Sequence, residues 1–343
     1  MQYCRITLQK LTEKEQQKGY SAEGIKLLTG SRTFNPMLDI SRDEFALLPK
    51  KQQGMSISGY QPKFQLIFEN GQFNSIGQQG TFILKPSPAD YPYLAENEHS
   101  TMQVMRALGF NTPANGLLAF KKTNEEETVE YAYVIKRFDR DDFGNPIHQE
   151  QLDGAMNIAE KYGKIGSDDE QYISYERIVK FILKHIENNL IVKQDLFRRV
   201  VYAYLLGNND LHLRNFSLIY TKTGKASLTP IYDFVSVAPY KELFNHILAL
   251  PLLEKEEGGK ELAHGFNTKY GEYIGQDFIE FGEAIGLSRK LLIEKMFPQF
   301  VKEQEIVKEI YQRSFVPTEH QEVILKSYIR RLGLLQVVDE VSI

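Results

Sequence analysis

Between Phe64 and Ile76 apolar and polar positions follow a strand pattern. Phe64, Leu66 and Phe68 alternate with Gln65 and Ile67, Asn70-Gly71 follows, and then come Phe73 and Ile76. Two such runs around an Asn-Gly pair predict a β-hairpin, because a two-residue hairpin turn needs φ > 0 at both central residues. A third strand is predicted at Thr81–Lys85, closed by Pro86 and Pro88, followed by a helix over Glu96–Leu108 that Gly109 and Pro113 stop. Two more strands are predicted around Gly116–Lys121 and Tyr131–Lys136. The first part of the chain is thus a mainly antiparallel sheet with one inserted helix. Ahead of it, Ser21 caps a short helix over Ser21–Leu28 with Gly30 past its end. Ser41 with Glu44 has capping-box spacing. Residues 1–50 are expected to pack against this sheet.

After Asp139 the pattern turns helical. Apolar residues recur at helical spacing over Tyr175–Leu190 and Leu196–Leu206, the latter ending at Gly207-Asn208-Asn209. Short apolar runs follow at Phe216–Ile219, which reads as a strand, and at Leu228–Ile231, and from Asp277 the chain is helical almost to its end. The expected class is α+β and two-lobed. The first lobe covers 1–136, with 1–50 as an N-terminal extension. A hinge lies at 137–142, and a largely helical second lobe covers 143–343.

Composition narrows the partners. The 343 residues suit two lobes, and the 41 basic against 45 acidic side chains give a net charge of −4. Dedicated nucleic-acid binders usually carry a basic excess, so no direct nucleic-acid contact is expected. One cysteine, Cys4, excludes a disulfide framework and a cysteine zinc site, and fits a reducing compartment. No signal-peptide pattern follows Met1, and the most apolar stretch, Ile247–Leu253, is too short to cross a bilayer. A cytoplasmic protein without membrane contact is expected.

The chemistry concentrates in Gly207-Asn208-Asn209-Asp210-Leu211-His212-Leu213-Arg214-Asn215, with Asn215 five residues after Asp210. Eighteen residues after Asn215 comes Asp233, within Ile231-Tyr232-Asp233-Phe234. One Asp to accept a hydroxyl proton, then an Asn and a second Asp to hold magnesium, is what phosphoryl transfer from ATP requires. Each residue alone reads as a turn or cap, and Asp233 alone as an exposed loop acid. Their order, with Lys85 upstream on an apolar strand, favours the catalytic reading. A buried lysine needs an anion. Glu98 is its candidate helix partner and Glu96 the alternative, while a strand-end lysine reaching solvent is the bland reading. The turn Gly54–Lys63, with Ser56, Ser58, Gly59, Tyr60 and Gln61, is equally a phosphate loop or a strand-entry turn. His212 is assigned to orienting the catalytic turn, and Glu125-Glu126-Glu127 to a solvated loop.

Six segments in order resemble the HipA serine/threonine kinases, the toxins of bacterial toxin–antitoxin systems. They are Ser56–Lys63, Phe82–Pro86, Arg137-Phe138-Asp139-Arg140, His148-Gln149-Glu150, Asn208–Ser217 and Tyr232-Asp233. About fifty residues precede the Ser-Ile-Ser turn. With Pro86–Asp90 and Leu94–His99, this resembles the short HipT form of three-gene HipBST systems. The resemblance implies a two-lobed, protein-kinase-like fold using ATP and Mg2+. Asp210 would be the catalytic base, and Asn215 and Asp233 the metal ligands. Lys85 with Glu98, the loop residues Ser58, Gly59, Tyr60, Gln61 and Lys63, His212, and a hinge of Lys136, Arg137 and Phe138 would bind the nucleotide. Ser56 and Ser58 would be regulatory autophosphorylation sites. The implied substrates are aminoacyl-tRNA synthetases, tryptophanyl-tRNA synthetase first and glutamyl-tRNA synthetase next. The implied partners are a HipS-like small antitoxin and a HipB-like DNA-binding protein. Two other readings remain: a phosphorylated, non-catalytic subunit scaffolding an antitoxin–DNA complex, and a small-molecule phosphotransferase.

Overall fold

Ser21 and Ser41 each start a helix by turning a hydroxyl onto a free backbone N–H. Ser21 Oγ accepts from Gly24 N at 3.0 Å, and Gly30 closes that helix at φ 72°. Ser41 and Glu44 form the expected reciprocal box, with Ser41 N donating to Glu44 Oε2 (2.8 Å) and Glu44 N to Ser41 Oγ (3.2 Å). These details come from a computed structural model that describes residues 2–35, 37–46, 63–124, 129–141, 143–163, 173–240 and 246–338. The chain divides into two units, Met1–Ile147 with Glu309–Pro317, and His148–Lys308 with Thr318–Ile343.

In the first unit the elements run α1 (Glu13–Gln16), α2 (Ala22–Thr29), β1 (Met37–Ser41), α3 (Arg42–Ala46), β2 (Phe64–Glu69), β3 (Gln72–Ser75), β4 (Phe82–Pro86), α4 (Leu94–Ala107), β5 (Asn115–Lys121) and β6 (Tyr131–Lys136). The hairpin forms as expected, with Asn70 at φ 53° and Gly71 at φ 79°. The six strands order as β1-β5-β6-β4-β2-β3. β1 was not foreseen: its five residues show no clear alternation. It lies parallel to β5, so the otherwise antiparallel sheet is mixed. Residues from the N-terminal stretch, among them Cys4, Ile6, Tyr20, Leu28 and Phe45, share one core with Phe64, Leu66, Phe82 and Val134. The Tyr20 hydroxyl donates to Leu117 O at 2.7 Å, tying that stretch to β5.

The returning segment Glu309–Pro317 completes this unit. The Tyr311 and Thr101 hydroxyls lie 2.8 Å apart, and the Arg5 guanidinium sits against the rings of Tyr20, Tyr131 and Phe315.

The second unit contains β7 (Gln149–Gln151), α5 (Leu152–Ala155), α6 (Tyr175–His185), α7 (Leu190–Leu206), β8 (Ser217–Tyr220), β9 (Ala226–Leu228), α8 (Gly275–Ala284), α9 (Arg289–Leu291), most of α10 (Phe297–Gln312) and α11 (Thr318–Leu335). The apolar periodicity over Tyr175–Leu190 predicts one helix, but α6 stops at His185. Ile186 is extended, and Asn189 caps the next helix by accepting from Val192 N at 3.0 Å. An Asn that can satisfy an orphan N–H outweighs apolar spacing at that point. Of the apolar run Leu228–Ile231 only Leu228 lies in a strand, β9, which ends two residues before Pro230. β7, β8 and β9 form a small antiparallel sheet, and aromatic rings of α7, α8 and α10 pack on one another, Phe197 stacking on Phe281 at 5.7 Å and lying 6.4 Å from Phe300. Among the described residues no helix is long and apolar enough to cross a membrane.

Candidate active site

β4 carries Lys85 opposite Tyr133 of β6, and α4 carries Glu98. Lys85 Nζ lies 2.5 Å from Glu98 Oε1, both side chains buried. Of the two acids weighed, Glu98 therefore meets the lysine. Glu96 is also buried, its Oε2 without a hydrogen-bond partner among the described residues. Burial pushes its carboxyl up to about 7. One turn on, burial pushes His99 down to about 4, with Nε2 3.1 Å from Ile6 O.

These two groups give opposite pH dependences. His99 binds its proton more weakly folded than unfolded, so its contribution is present above about 6.5 and is lost as pH falls towards 4. Glu96 binds its proton more tightly folded, so its contribution is present below about 4.5 and is lost as pH rises through 7. Between pH 7 and 5 each is worth about 2 kcal/mol and they offset. A Glu96→Gln variant should therefore lose about 2 kcal/mol more than wild type on that acidification, and His99→Gln should gain about as much. Denaturant melts at the two pH values check this, and equal slopes for all three proteins would refute it.

At the end of β6, Lys136 is exposed and Arg137 buried, their amides donating to Ala114 O and Thr81 O at 2.8 Å each. The Arg137 guanidinium grips Asp139 in a two-point pair at 2.8 and 2.5 Å. Phe138 between them is half-buried. Ser56, Ser58, Gly59, Tyr60 and Gln61 lie outside the described residues, as does Glu125-Glu126-Glu127. Lys63, the first described residue after the turn, is buried.

In the second unit, α7 ends at Gly207, which adopts φ 72°. Asn208 N then turns back to Ala203 O at 2.8 Å. The Asn208 side chain accepts from Asp210 N at 3.1 Å, shaping the turn that presents Asp210. Asn215 reaches back, its Nδ2 donating to Asp210 O at 2.7 Å. That leaves Asn215 Oδ1 buried, with no hydrogen-bond partner among the described residues. A hard oxygen held in this way fits a magnesium ligand. Asp233 follows β9 and Tyr232 in a left-handed conformation, φ 53°, uncommon for a non-glycine residue. Among the described residues no cluster of three His, Cys, Asp or Glu is placed to hold a metal. A site of Asn215 and Asp233 would complete its shell with phosphate oxygens and water.

His212 is fully buried, its Nε2 3.5 Å from Asp210 Oδ1. Burial pushes it down to about 4, against the pull of Asp210, so the ring is neutral at pH 7. Two residues that sequence reasoning missed also reach Asp210. The Tyr162 hydroxyl donates to Asp210 Oδ1 at 3.0 Å, and Lys161 Nζ lies 3.8 Å from the same oxygen. They sit in a short stretch without periodicity, nearly fifty residues upstream, and nothing in the sequence signals their contact with the turn.

Residues 55–312 match the family described as HipA-like C-terminal domain. A provisionally named kinase of Haemophilus influenzae is 58% identical over 342 residues, 99% of both chains. The serine/threonine-protein kinase toxin HipA of Shewanella oneidensis is 26% identical over 258 residues, 71% of this chain and 54% of that protein. Among solved structures, the HipA of a Shewanella oneidensis HipA–HipB–operator DNA complex superposes with a TM-score of 0.65 at 23% identity, covering 84% of this chain and 68% of that one. That superposition supports a shared fold, and the family match extends over three quarters of the chain. The chain belongs to the HipA-like family of kinases.

Proposed function

We propose that this chain is a serine/threonine protein kinase toxin of the short HipT type. It would transfer the γ-phosphate of ATP to a serine of an aminoacyl-tRNA synthetase, tryptophanyl-tRNA synthetase first and glutamyl-tRNA synthetase next. The observation that carries the reading is the turn in which Asn208 and Asn215 fix Asp210 while Asn215 Oδ1 stays buried and unbonded. The Lys85–Glu98 pair supports it, because a buried ammonium on a strand is suited to nucleotide phosphates. The Pro86–Asp90 and Leu94–His99 segments support the HipT type.

Asp210 accepts the proton of the acceptor hydroxyl as that oxygen approaches phosphorus. Asn208 and Asn215 hold its backbone, so the carboxylate needs little reordering during the reaction. Asn215 and Asp233 would hold magnesium, which supplies positive charge to the phosphate oxygens. Lys85 contributes charge to the phosphates and Glu98 orients it. Lys136, Arg137 and Phe138 are assigned to the adenine, and the residues from Ser56 to Lys63 to the phosphates.

Autophosphorylation at Ser56 or Ser58 adds about −1.5 to −2 charges where the nucleotide phosphates belong, which opposes ATP binding. A phosphate placed on the synthetase blocks aminoacylation by the same repulsion, and growth stops. A HipB-like DNA-binding protein and a HipS-like small antitoxin are the proposed partners. The Shewanella oneidensis HipA of similar fold assembles with HipB and operator DNA.

The test is label transfer from γ-labelled ATP with magnesium to purified tryptophanyl- and glutamyl-tRNA synthetases, with phosphosite mass spectrometry. Label on one serine of one synthetase is the expected outcome. Label confined to Ser56 or Ser58 would remove the synthetase assignment, and no label at all from dephosphorylated protein would remove the kinase assignment.

A further inference from the structure

Asp210 Oδ1 and Oδ2 have different surroundings. The described contacts of the carboxylate converge on Oδ1: the Tyr162 hydroxyl at 3.0 Å, His212 Nε2 at 3.5 Å and Lys161 Nζ at 3.8 Å. The segment that supplies the first and third is fastened to the catalytic turn. Leu213 N donates to Lys161 O at 3.1 Å, and the Tyr162 ring meets the His212 ring edge-on at 5.3 Å. Lys161 Nζ in turn rests over the Tyr162 ring at 4.6 Å, so the two side chains hold one another. Of the other nearby cations, Arg214 is paired with Asp153 at 2.7 Å, and burial keeps His212 neutral.

We infer that Lys161 and Tyr162 are positioning residues that fix the Asp210 carboxylate through Oδ1 and leave Oδ2 to take the acceptor proton. The inference rests on the kinase reading above. In the step it serves, the acceptor hydroxyl proton passes to Asp210 Oδ2 and the hydroxyl oxygen forms a bond to the γ-phosphorus. The bond from that phosphorus to the β–γ bridging oxygen breaks, and its electron pair leaves with ADP. A carboxylate free to rotate would present Oδ2 only part of the time. Tyr162 sets the rotation with a directional hydrogen bond. Lys161 draws the same oxygen electrostatically and keeps the Tyr162 ring in place.

The test compares wild type, Asp210→Asn, Tyr162→Phe, Lys161→Met and Lys161→Arg. The acceptor is whichever protein takes label in the experiment above. Tyr162→Phe and Lys161→Met should each lower kcat by about 10-fold, with KM for ATP changed less than about two-fold and melting temperature nearly unchanged. Lys161→Arg should recover most of the rate. A wild-type kcat in Tyr162→Phe and Lys161→Met, while Asp210→Asn is inactive, would overturn the inference and leave the kinase reading standing. A loss that tracks a fall in melting temperature or a rise in KM would also overturn it, because the pair would then be structural or nucleotide-binding. Wild-type protein that labels nothing would overturn both.

Discussion

Asp210→Asn is expected to cut phosphoryl transfer by about a thousand-fold, within the span that a positioned general base contributes. The substitution keeps the shape of the side chain and removes the charge that accepts a proton. It should not disturb the turn. The contacts that build it run through Asp210 N to Asn208 Oδ1 and Asp210 O from Asn215 Nδ2, and both are backbone atoms of Asp210. The Tyr162 hydroxyl can donate equally well to an amide oxygen. The loss should therefore fall on the rate of a single turnover, with nucleotide affinity and melting temperature close to wild type. Rapid-quench transfer with saturating ATP measures the first, and a thermal melt the second. A variant that retained a tenth of the wild-type rate would remove Asp210 from the role of base.

Glu98→Ala should cost the protein about 3–5 kcal/mol of stability, the usual penalty for taking one partner from a buried ion pair. Lys85 and Glu98 are both nearly inaccessible, and the ammonium would stay buried after losing a carboxylate 2.5 Å away. Double replacement, Lys85→Met with Glu98→Leu, should recover most of that stability, because neither charge of the pair is then left buried without the other. It should not recover phosphoryl transfer. Denaturant melts of the two variants and wild type separate these effects. If the double variant were as unstable as Glu98→Ala, the cost would lie in packing rather than in charge.

Local rules made much of the first unit legible. Asn70-Gly71, Ser21 with Gly30, and Ser41 with Glu44 act over a few residues, and their geometry is nearly independent of what surrounds them. The parallel edge strand β1 escaped notice because Met37–Ser41 gains its identity from β5, nearly eighty residues later in the chain. At the site, Asp210 and Asn215 stood out because one short turn holds them at fixed spacing, and Asp233 because an acid ends an apolar run eighteen residues later. The choice of Glu98 over Glu96 follows from which face of α4 meets β4, and periodicity within α4 does not encode that. Lys161 and Tyr162 were invisible for a related reason. They reach Asp210 from a turn that Gly163 N closes onto Glu160 O and that Leu213 N ties down through Lys161 O, not from a repeating pattern.

The late return of Glu309–Pro317 to the first unit has a consequence for the order in which the protein becomes whole during synthesis. Thr101 leaves the ribosome long before its partner Tyr311, and Arg5 longer still before Phe315. At about 5–20 residues per second, the interval between Thr101 and Tyr311 is about 10–40 s. Throughout that time the unit that holds Lys85 lacks part of its final packing, and it still does after the turn around Asp210 is translated about halfway through the interval. A nascent chain cut off between Asp233 and Tyr311 carries the residues expected to perform the chemistry, yet cannot finish the unit that contains its buried lysine. Completion of the first unit is thus deferred until Glu309–Pro317 has been translated.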